Sequence, residues 1–196
     1  MSATSPRVVL ASTSRYRAEL LRRLLPDFDC VAPEVDEAPL PDEAPAERAS
    51  RLAKAKAAAV AGSREGALVI GSDQVAELDG RVLRKPAELA IARAQLRACS
   101  GREVRFHTAV CVTKARGEPG RWARDLTHVR FRPLTENEIG RYLERERPFD
   151  CAGSFKAEAL GIALFEKIES EDPTALVGMP LIALARLLRE AGLELP

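Results

Sequence analysis

Short apolar runs alternate along this chain with longer stretches in which apolar residues recur every three or four positions, a pattern that predicts strands interleaved with helices. Residues 8–11, Val-Val-Leu-Ala, read as a buried strand. The polar turn Ser12-Thr13-Ser14 follows. Residues 15–25 then place Ala18, Leu21 and Leu25 on one face, with Leu20 and Leu24 beside them, which predicts a helix with Ser14 as its N-cap. A proline-rich, acidic loop over 33–45 leads into an Ala/Lys/Arg helix over 46–61. Pro45 stands at its start, where a missing amide hydrogen costs little, and Gly62 at its end. Residues 67–71 form a second apolar strand that delivers Ser72-Asp73-Gln74 at its C-terminal end, and 75–83 read as a hairpin turning at Asp79-Gly80.

The second half repeats the alternation. A helix is predicted over 87–98, ending near Gly101, then strands over 103–113 and 124–132 joined by a loop at 114–120. Thr135 and Glu138 form a capping box for a helix reaching residue 146. Residues 160–168 read as a strand, and 180–190 as a last helix stopped by Gly192. No linker divides the chain and no repeat is visible, so residues 1–196 read as one α/β domain, with two lobes around a cleft.

Composition narrows the functional classes. At 196 residues there is material for one good core, and 46% hydrophobic with 30% charged residues is globular rather than disordered. A net charge of +1 gives no bulk attraction to nucleic acid or to an anionic membrane. The apolar run after residues 1–7 is too short for a signal-peptide core, and no stretch approaches a membrane span. The four cysteines, Cys30, Cys99, Cys111 and Cys151, form no CxxC pair, and with two histidines they are poor material for a zinc site. They read as reduced and structural, which points to the cytosol.

Three polar clusters lie where strands end or helices begin. Ser12-Thr13-Ser14-Arg15-Tyr16-Arg17 joins hydroxyls and arginines to the free amides of a helix N-terminus, which suits either a phosphate cradle or a plain helix cap. In Gly71-Ser72-Asp73-Gln74 a carboxylate at a strand end is placed to bind Mg²⁺, orient water or accept its proton, or serves only as a turn residue. Lys85, eleven residues after Gln74, is a phosphate-neutralising candidate. The third cluster is Gly153-Ser154-Phe155-Lys156-Ala157-Glu158; like Asp36-Glu37, its acidic residue reads equally as solvated loop. His107 and His128 read as packing or hairpin-surface residues, and Trp122 with the apolar face of the last helix as core or interface. These residues describe a phosphate-binding α/β protein without specifying a reaction.

The ordered set of motifs goes further. Leu10-Ala11-Ser12-Thr13-Ser14-Arg15-Tyr16-Arg17, Val35-Asp36-Glu37, Lys54-Ala55-Lys56-Ala57, Gly71-Ser72-Asp73-Gln74-Val75, Asp79-Gly80…Lys85-Pro86, Ser100-Gly101…His107-Thr108, Ala152-Gly153-Ser154-Phe155 and Val177-Gly178-Met179-Pro180-Leu181 together resemble the Maf family of nucleoside triphosphate pyrophosphatases, over about residues 8–190. The resemblance implies a mixed sheet flanked by helices with a central cleft, similar to inosine triphosphate pyrophosphatases. It also implies hydrolysis between the α- and β-phosphates of a nucleoside triphosphate with a divalent cation (Mg²⁺ or Mn²⁺), in an enzyme often homodimeric. Carried over by position, it makes Asp73 the proton acceptor and a metal ligand with Glu37, and makes Ser12, Ser14, Arg17, Lys56 and Lys85 the substrate-binding and phosphate-binding set.

Tyr16, Gln74 and Glu158 occupy the positions that separate branches of the family. The branch acting on dTTP and UTP typically carries Arg, Thr and Gln there; this trio is similar to the branch hydrolysing 7-methyl-GTP. The chemistry agrees, because methylation at N7 makes guanine a cation. Tyr16 offers it a π-face and Glu158 an anionic acceptor for the N1–H and exocyclic amine. Two positions depart from the pattern: Arg15 stands where the family usually has Pro, and Tyr16 where this branch commonly has Trp. The alternatives are a pyrophosphatase for dTTP/UTP or a broader set of modified nucleotides, and, because family members are linked to septum formation, a nucleotide-binding regulator without turnover. A nucleic-acid partner is disfavoured by the neutral charge.

Overall fold

A computed structural model describes residues 6–64, 66–114 and 120–196; residues 1–5 and most of the loop expected at 114–120 lie outside the described residues. The elements are β1 (Val8–Leu10), α1 (Arg15–Leu21), β2 (Asp29–Cys30), α2 (Pro45–Ala61), β3 (Leu68–Leu78), β4 (Arg81–Leu83), α3 (Leu89–Cys99), β5 (Glu103–Thr113), β6 (Arg121–Phe131), α4 (Glu136–Glu146), β7 (Phe165–Glu169) and α5 (Leu181–Glu190). The strands form a seven-stranded open sheet in the order β2-β1-β3-β5-β6-β7, with β4 paired to β3. The sheet is mixed. β1 runs parallel to β2 and β3, whereas β4 and β7 are antiparallel to β3 and β6. With its flanking helices this is the α/β class that the alternation predicts.

The chain forms two compact units. The first comprises Met1–Gln74, Thr108–Asp125 and Asp172–Pro196. Its core joins Leu10 of β1, Leu20 and Leu21 of α1, Ile70 of β3 and Val110 of β5 to the buried face of α5. On α5 the spacing Leu181, Leu184, Leu188 places one apolar stripe against that core, and each buried leucine contributes about 1.5–3 kcal/mol. Gly192, at φ 90°, ends the run in a conformation that favours glycine.

The second unit comprises Val75–His107 and Leu126–Glu171. Its hairpin turns as predicted: Leu78 pairs with Arg81, and Asp79 and Gly80 take φ of 48° and 79°. Phe106, Phe131, Phe155 and Phe165 meet edge to face, their centroids 4.8–5.5 Å apart. α4 buries Ile139, Tyr142 and Leu143, and it starts at the predicted capping box: the Glu138 amide donates to Thr135 Oγ1 at 3.3 Å, and the Thr135 amide to Glu138 Oε2 at 2.8 Å.

Several boundaries move, each for a local reason. β3 does not stop at Gly71 but continues through Asp73 to Leu78, because the strand and the hairpin after it are one element. α1 ends at Leu21 rather than residue 25. Arg23 and Leu24 bond back only three residues, and Pro26 disfavours helical geometry at the residue before it. α3 starts at Leu89 because Ala87 takes φ 57°. Residues 160–164 form a tight 3-10 turn and only 165–169 a strand. There Gly161 lies against the Lys156 main chain, where a Cβ would come within 2.8 Å of the carbonyl carbon. Trp122 is not core: it is 44% exposed, with the Lys54 ammonium 3.8 Å above its ring. Both histidines sit beside carboxylates, His107 on Glu77 at 2.9 Å and His128 on Glu103 at 3.0 Å. All four thiols are free, and burial pushes Cys99 up to about 12 and Cys111 up to about 11, as inert structural thiols require. Among the described residues no helix is long and apolar enough to cross a membrane.

The capping box carries a pH signature. The Thr135 amide and hydroxyl, with the Arg132 guanidinium, hold the Glu138 carboxyl at about 2. The folded-state value lies below that of the unfolded chain, about 4.3. Ionised Glu138 therefore stabilises the fold above that value, and the contribution fades as pH falls through the interval below it. Glu138→Gln should melt below the unsubstituted protein at about pH 7, with the gap narrowing toward about pH 3. A gap independent of pH would contradict this account of the cap.

Candidate active site

The first unit assembles most of the predicted site residues on four elements. Pairing of β1 with β3 extends one residue past the strand, through the Ala11 amide to the Ile70 carbonyl at 2.8 Å, and sets Ser12 in a buried position. Ser12 Oγ accepts from the Ser14 amide at 3.1 Å, and Ser14 Oγ accepts from the Arg17 amide at 3.4 Å. Ser14 thus caps α1 as the sequence predicts. Accepting from an amide leaves each hydroxyl its own proton, so both can still donate to an anion.

Arg17, in the first turn of α1, points its Nε at the Gly178 carbonyl, 3.0 Å away. Asp73 and Glu37 lie within its field. Burial lowers its basicity and the two carboxylates resist that, and a guanidinium remains charged throughout. The nitrogens not used on Gly178 are the ones suited to a bidentate grip on phosphate.

Lys56 and Asp73 meet because α2 lies directly on β3. Gly71 has no side chain, and a Cβ there would collide with the Ala53 carbonyl oxygen and come within 2.6 Å of the Ala57 amide nitrogen. With alanines facing a glycine, the helix backbone settles onto the strand, and Lys56, 6% exposed, reaches Asp73, 7% exposed. The Lys56 ammonium stands 2.7 Å from Asp73 Oδ1 and 2.7 Å from Glu37 Oε1, which the loop before α2 supplies. Arg17 and Lys56 against Asp73 and Glu37 make a group of zero net charge.

Next along β3, Ser72 Oγ lies 2.8 Å from the Ala109 carbonyl and 3.0 Å from that of Gly178. Gln74 Nε2 is within reach of the Ala175 and Leu176 carbonyls, at 3.0 and 3.1 Å, and of Thr108 Oγ1 at 3.0 Å. Three acceptors around one amide nitrogen fix its orientation and leave Oε1 as the atom Gln74 can present. On α1, the Arg15 guanidinium lies over the Tyr16 ring, 4.7 Å from its centroid, and donates to the Tyr16 hydroxyl at 2.7 Å. The arginine that replaces the family's proline therefore already rests on the tyrosine's π-face.

Lys85 and Glu158 belong to the second unit. Lys85 is exposed, just after β4. Glu158 is also exposed as a residue, but partial burial of its carboxyl, reinforced by Glu146 and Asp150, pushes it above the ordinary carboxylate range. Other members of its cluster are structural. Lys156 bonds to Glu146 Oε1 at 3.1 Å, and the Ser154 hydroxyl donates to Gln95 at 2.6 Å. One buried polar group there has no counterpart in the sequence reading: Glu77 accepts from Arg105, from His107 and from the Gly80 amide. Burial would raise its carboxyl, but these partners outweigh it and hold it low. Two carboxylates four residues apart on one face of an otherwise largely apolar strand, Asp73 and Glu77, are the signal that could have drawn attention to it.

Among the described residues no three His, Cys, Asp or Glu side chains converge as a metal cage. Glu37 and Asp73 do converge, since both grip one ammonium. Two carboxylates suit Mg²⁺, which keeps several waters and takes further oxygens from substrate phosphates instead of demanding an all-protein cage.

A family model described as Maf-like protein matches residues 7–191. A 7-methyl-GTP pyrophosphatase of Xanthomonas oryzae pv. oryzae (strain MAFF 311018) is 62% identical, over 97% of this chain and 100% of that protein. A 7-methyl-GTP pyrophosphatase of Burkholderia pseudomallei (strain 1710b) is 55% identical, over 99% of this chain and 92% of that protein.

Gly71→Ala tests the packing that joins Lys56 to Asp73. The added methyl must push α2 off β3, at about 1–3 kcal/mol of stability, so the urea midpoint should fall measurably. An unchanged midpoint would show that the helix does not rest on the strand at this point.

Proposed function

Because this chain belongs to the Maf family, we propose that it hydrolyses the α–β phosphoanhydride of 7-methyl-GTP, releasing 7-methyl-GMP and pyrophosphate. The observation that carries the reading is the buried Lys56–Asp73 pair, joined by the more exposed Glu37, beside Arg17. Relatives of that name, 55–62% identical over nearly the whole chain, support the substrate.

A triphosphate carries about four negative charges near neutral pH, which repel an attacking oxygen until cations intervene. Arg17, Lys56 and Lys85 supply three, and the Ser12 and Ser14 hydroxyls donate to non-bridging oxygens. Lys56 occupies Asp73 Oδ1, so Oδ2 is the atom that accepts the proton of a water. As that proton moves, the water oxygen bonds to the α-phosphorus and the bond from phosphorus to the bridging oxygen breaks. Pyrophosphate departs with the electron pair, stabilised by the same cations. Glu37 and Asp73 would hold the divalent cation, which when bound adds charge screening that a site of zero net charge lacks.

The base is selected by charge and edge. The Arg15 guanidinium 4.7 Å from the Tyr16 centroid supports a role for this ring in receiving a planar cation, and the N7-methylated purine is one. Glu158, crowded by Glu146 and Asp150, gains most from a positive partner, and Gln74 offers Oε1 to a donor on the base. The homodimer and the cytosolic setting belong to the same proposal.

Asp73→Asn keeps an acceptor for Lys56 but removes the base. It should fold but melt lower, because the buried Lys56 ammonium loses its counter-charge, and lose about 10²–10⁴ in kcat; a folded variant with undiminished kcat removes Asp73 from the mechanism. Pyrophosphate release with Mg²⁺ or Mn²⁺ from 7-methyl-GTP, GTP, dTTP and UTP should rank 7-methyl-GTP first by kcat/KM, and chelation should abolish it. Preference for a pyrimidine would overturn the base assignment. Absence of release from every nucleotide would favour a binding regulator.

A further inference from the structure

Residues 172–182 form a strap whose two ends are tied by one side chain. Asp172, 4% exposed, accepts at Oδ1 from the Thr174 amide (3.0 Å) and hydroxyl (2.6 Å), and at Oδ2 from the Ile182 amide (2.6 Å). Its own amide donates to Asp125 Oδ2 at 3.1 Å. Thr174 Oγ1 in turn accepts from the Leu181 amide at 2.8 Å. α5 requires this help. Pro180 stands at its N-cap and offers no side-chain acceptor, so the free amides of Leu181 and Ile182 find theirs on Thr174 and Asp172. A remote cap closes the strap into a loop.

Carbonyls of that loop hold the site. The Gly178 carbonyl receives Arg17 Nε and the Ser72 hydroxyl, each at 3.0 Å. The Ala175 and Leu176 carbonyls receive Gln74 Nε2. Gly178 takes φ 130°, which favours glycine, and the Arg17 side chain lies 3.8 Å from where a Cβ would stand. One loop therefore sets the direction of a phosphate-binding arginine and of a base-reading glutamine.

We infer that Asp172 is a positioning residue for Arg17 and Gln74, an inference that rests on the roles proposed above for those two side chains. It acts by holding the strap's carbonyls in place. Both carboxylate oxygens face N–H or O–H donors, so in Asp172→Asn one oxygen becomes an NH₂ facing a donor whichever way the amide turns. One end of the strap is then released. Thr174→Val removes the hydroxyl between Asp172 and Leu181, whereas Thr174→Ser keeps it.

The test compares these three variants with the unsubstituted protein, each shown folded by circular dichroism. Two ratios are read: kcat/KM for 7-methyl-GTP over GTP, and Kd for GMP over 7-methyl-GMP. Asp172→Asn and Thr174→Val should lower kcat/KM for 7-methyl-GTP about tenfold and narrow both ratios several-fold, with Thr174→Ser near the original values. A purely structural role would lower the melting temperature without moving either ratio. The inference is overturned if the folded variants keep both ratios, or if Thr174→Ser fails as badly as Thr174→Val. Should Asp172→Asn not fold, the Thr174 pair decides alone. If the unsubstituted protein releases no pyrophosphate from any nucleotide, the pyrophosphatase reading fails, and the Kd ratio still decides whether Asp172 sets base preference.

Discussion

Lys56 carries its ammonium into a nearly closed position on the sheet side of α2, and Asp73 and Glu37 neutralise it there from 2.7 Å each. Lys56 and Asp73, both nearly closed off, lose water, and removing one partner of such a pair leaves the other uncompensated at about 3–5 kcal/mol. The fold therefore has to hold Lys56 and Asp73 together or hold neither, while Glu37 adds its carboxylate from a more exposed position. It does so with the least side chain available, Gly71 against Ala53 and Ala57. An ammonium has three donors, and the two carboxylates engage two. The third can meet a phosphate oxygen without the pair being broken, so the site is organised before substrate arrives and little reorganisation accompanies the reaction.

The rest of the first unit is arranged around that trio. Arg17 adds a second cation from the first turn of α1, and the strap over 172–182 fixes both Arg17 and Gln74 through main-chain carbonyls. Main-chain acceptors are more rigid than side chains, so the arginine and the glutamine inherit the precision of the fold instead of searching rotamers. The second unit carries its own conditions. The Glu158 carboxyl is raised by partial burial and by its acidic neighbours, whereas Glu77 is held low by three donors. Two carboxylates in one unit are thus tuned in opposite directions.

Local pattern revealed most of the fold. The α2 boundaries, the hairpin at Asp79-Gly80, the capping box at Thr135-Glu138 and the stop at Gly192 each rest on a residue whose chemistry acts within four positions. β2 escaped because two residues, Asp29–Cys30, are too few to show a period. The true length of β3 was hidden because Ser72-Asp73-Gln74 reads as a turn, although the strand buries Ser72 and Asp73. The site was less legible. Ser14 as a cap follows from position alone, but Lys56 looks like any lysine on an alanine-rich helix. Its approach to Asp73, seventeen residues away, depends on the absence of a side chain at Gly71. Locally Asp172 shows only its bond to Thr174, two residues on, because Ile182 and Asp125 lie far along the chain. Family resemblance supplied Glu37 and Lys56; their meeting at one ammonium is a property of the fold.

The central claim is that the Lys56, Asp73 and Glu37 trio receives the polyphosphate. A crystal structure with a non-hydrolysable 7-methyl-GTP analogue and Mg²⁺ tests it most directly. The account predicts phosphate oxygens on Ser12, Arg17 and Lys56, with a water between Asp73 and the α-phosphorus. A triphosphate bound away from Lys56, with Asp73 facing no phosphorus, would contradict it.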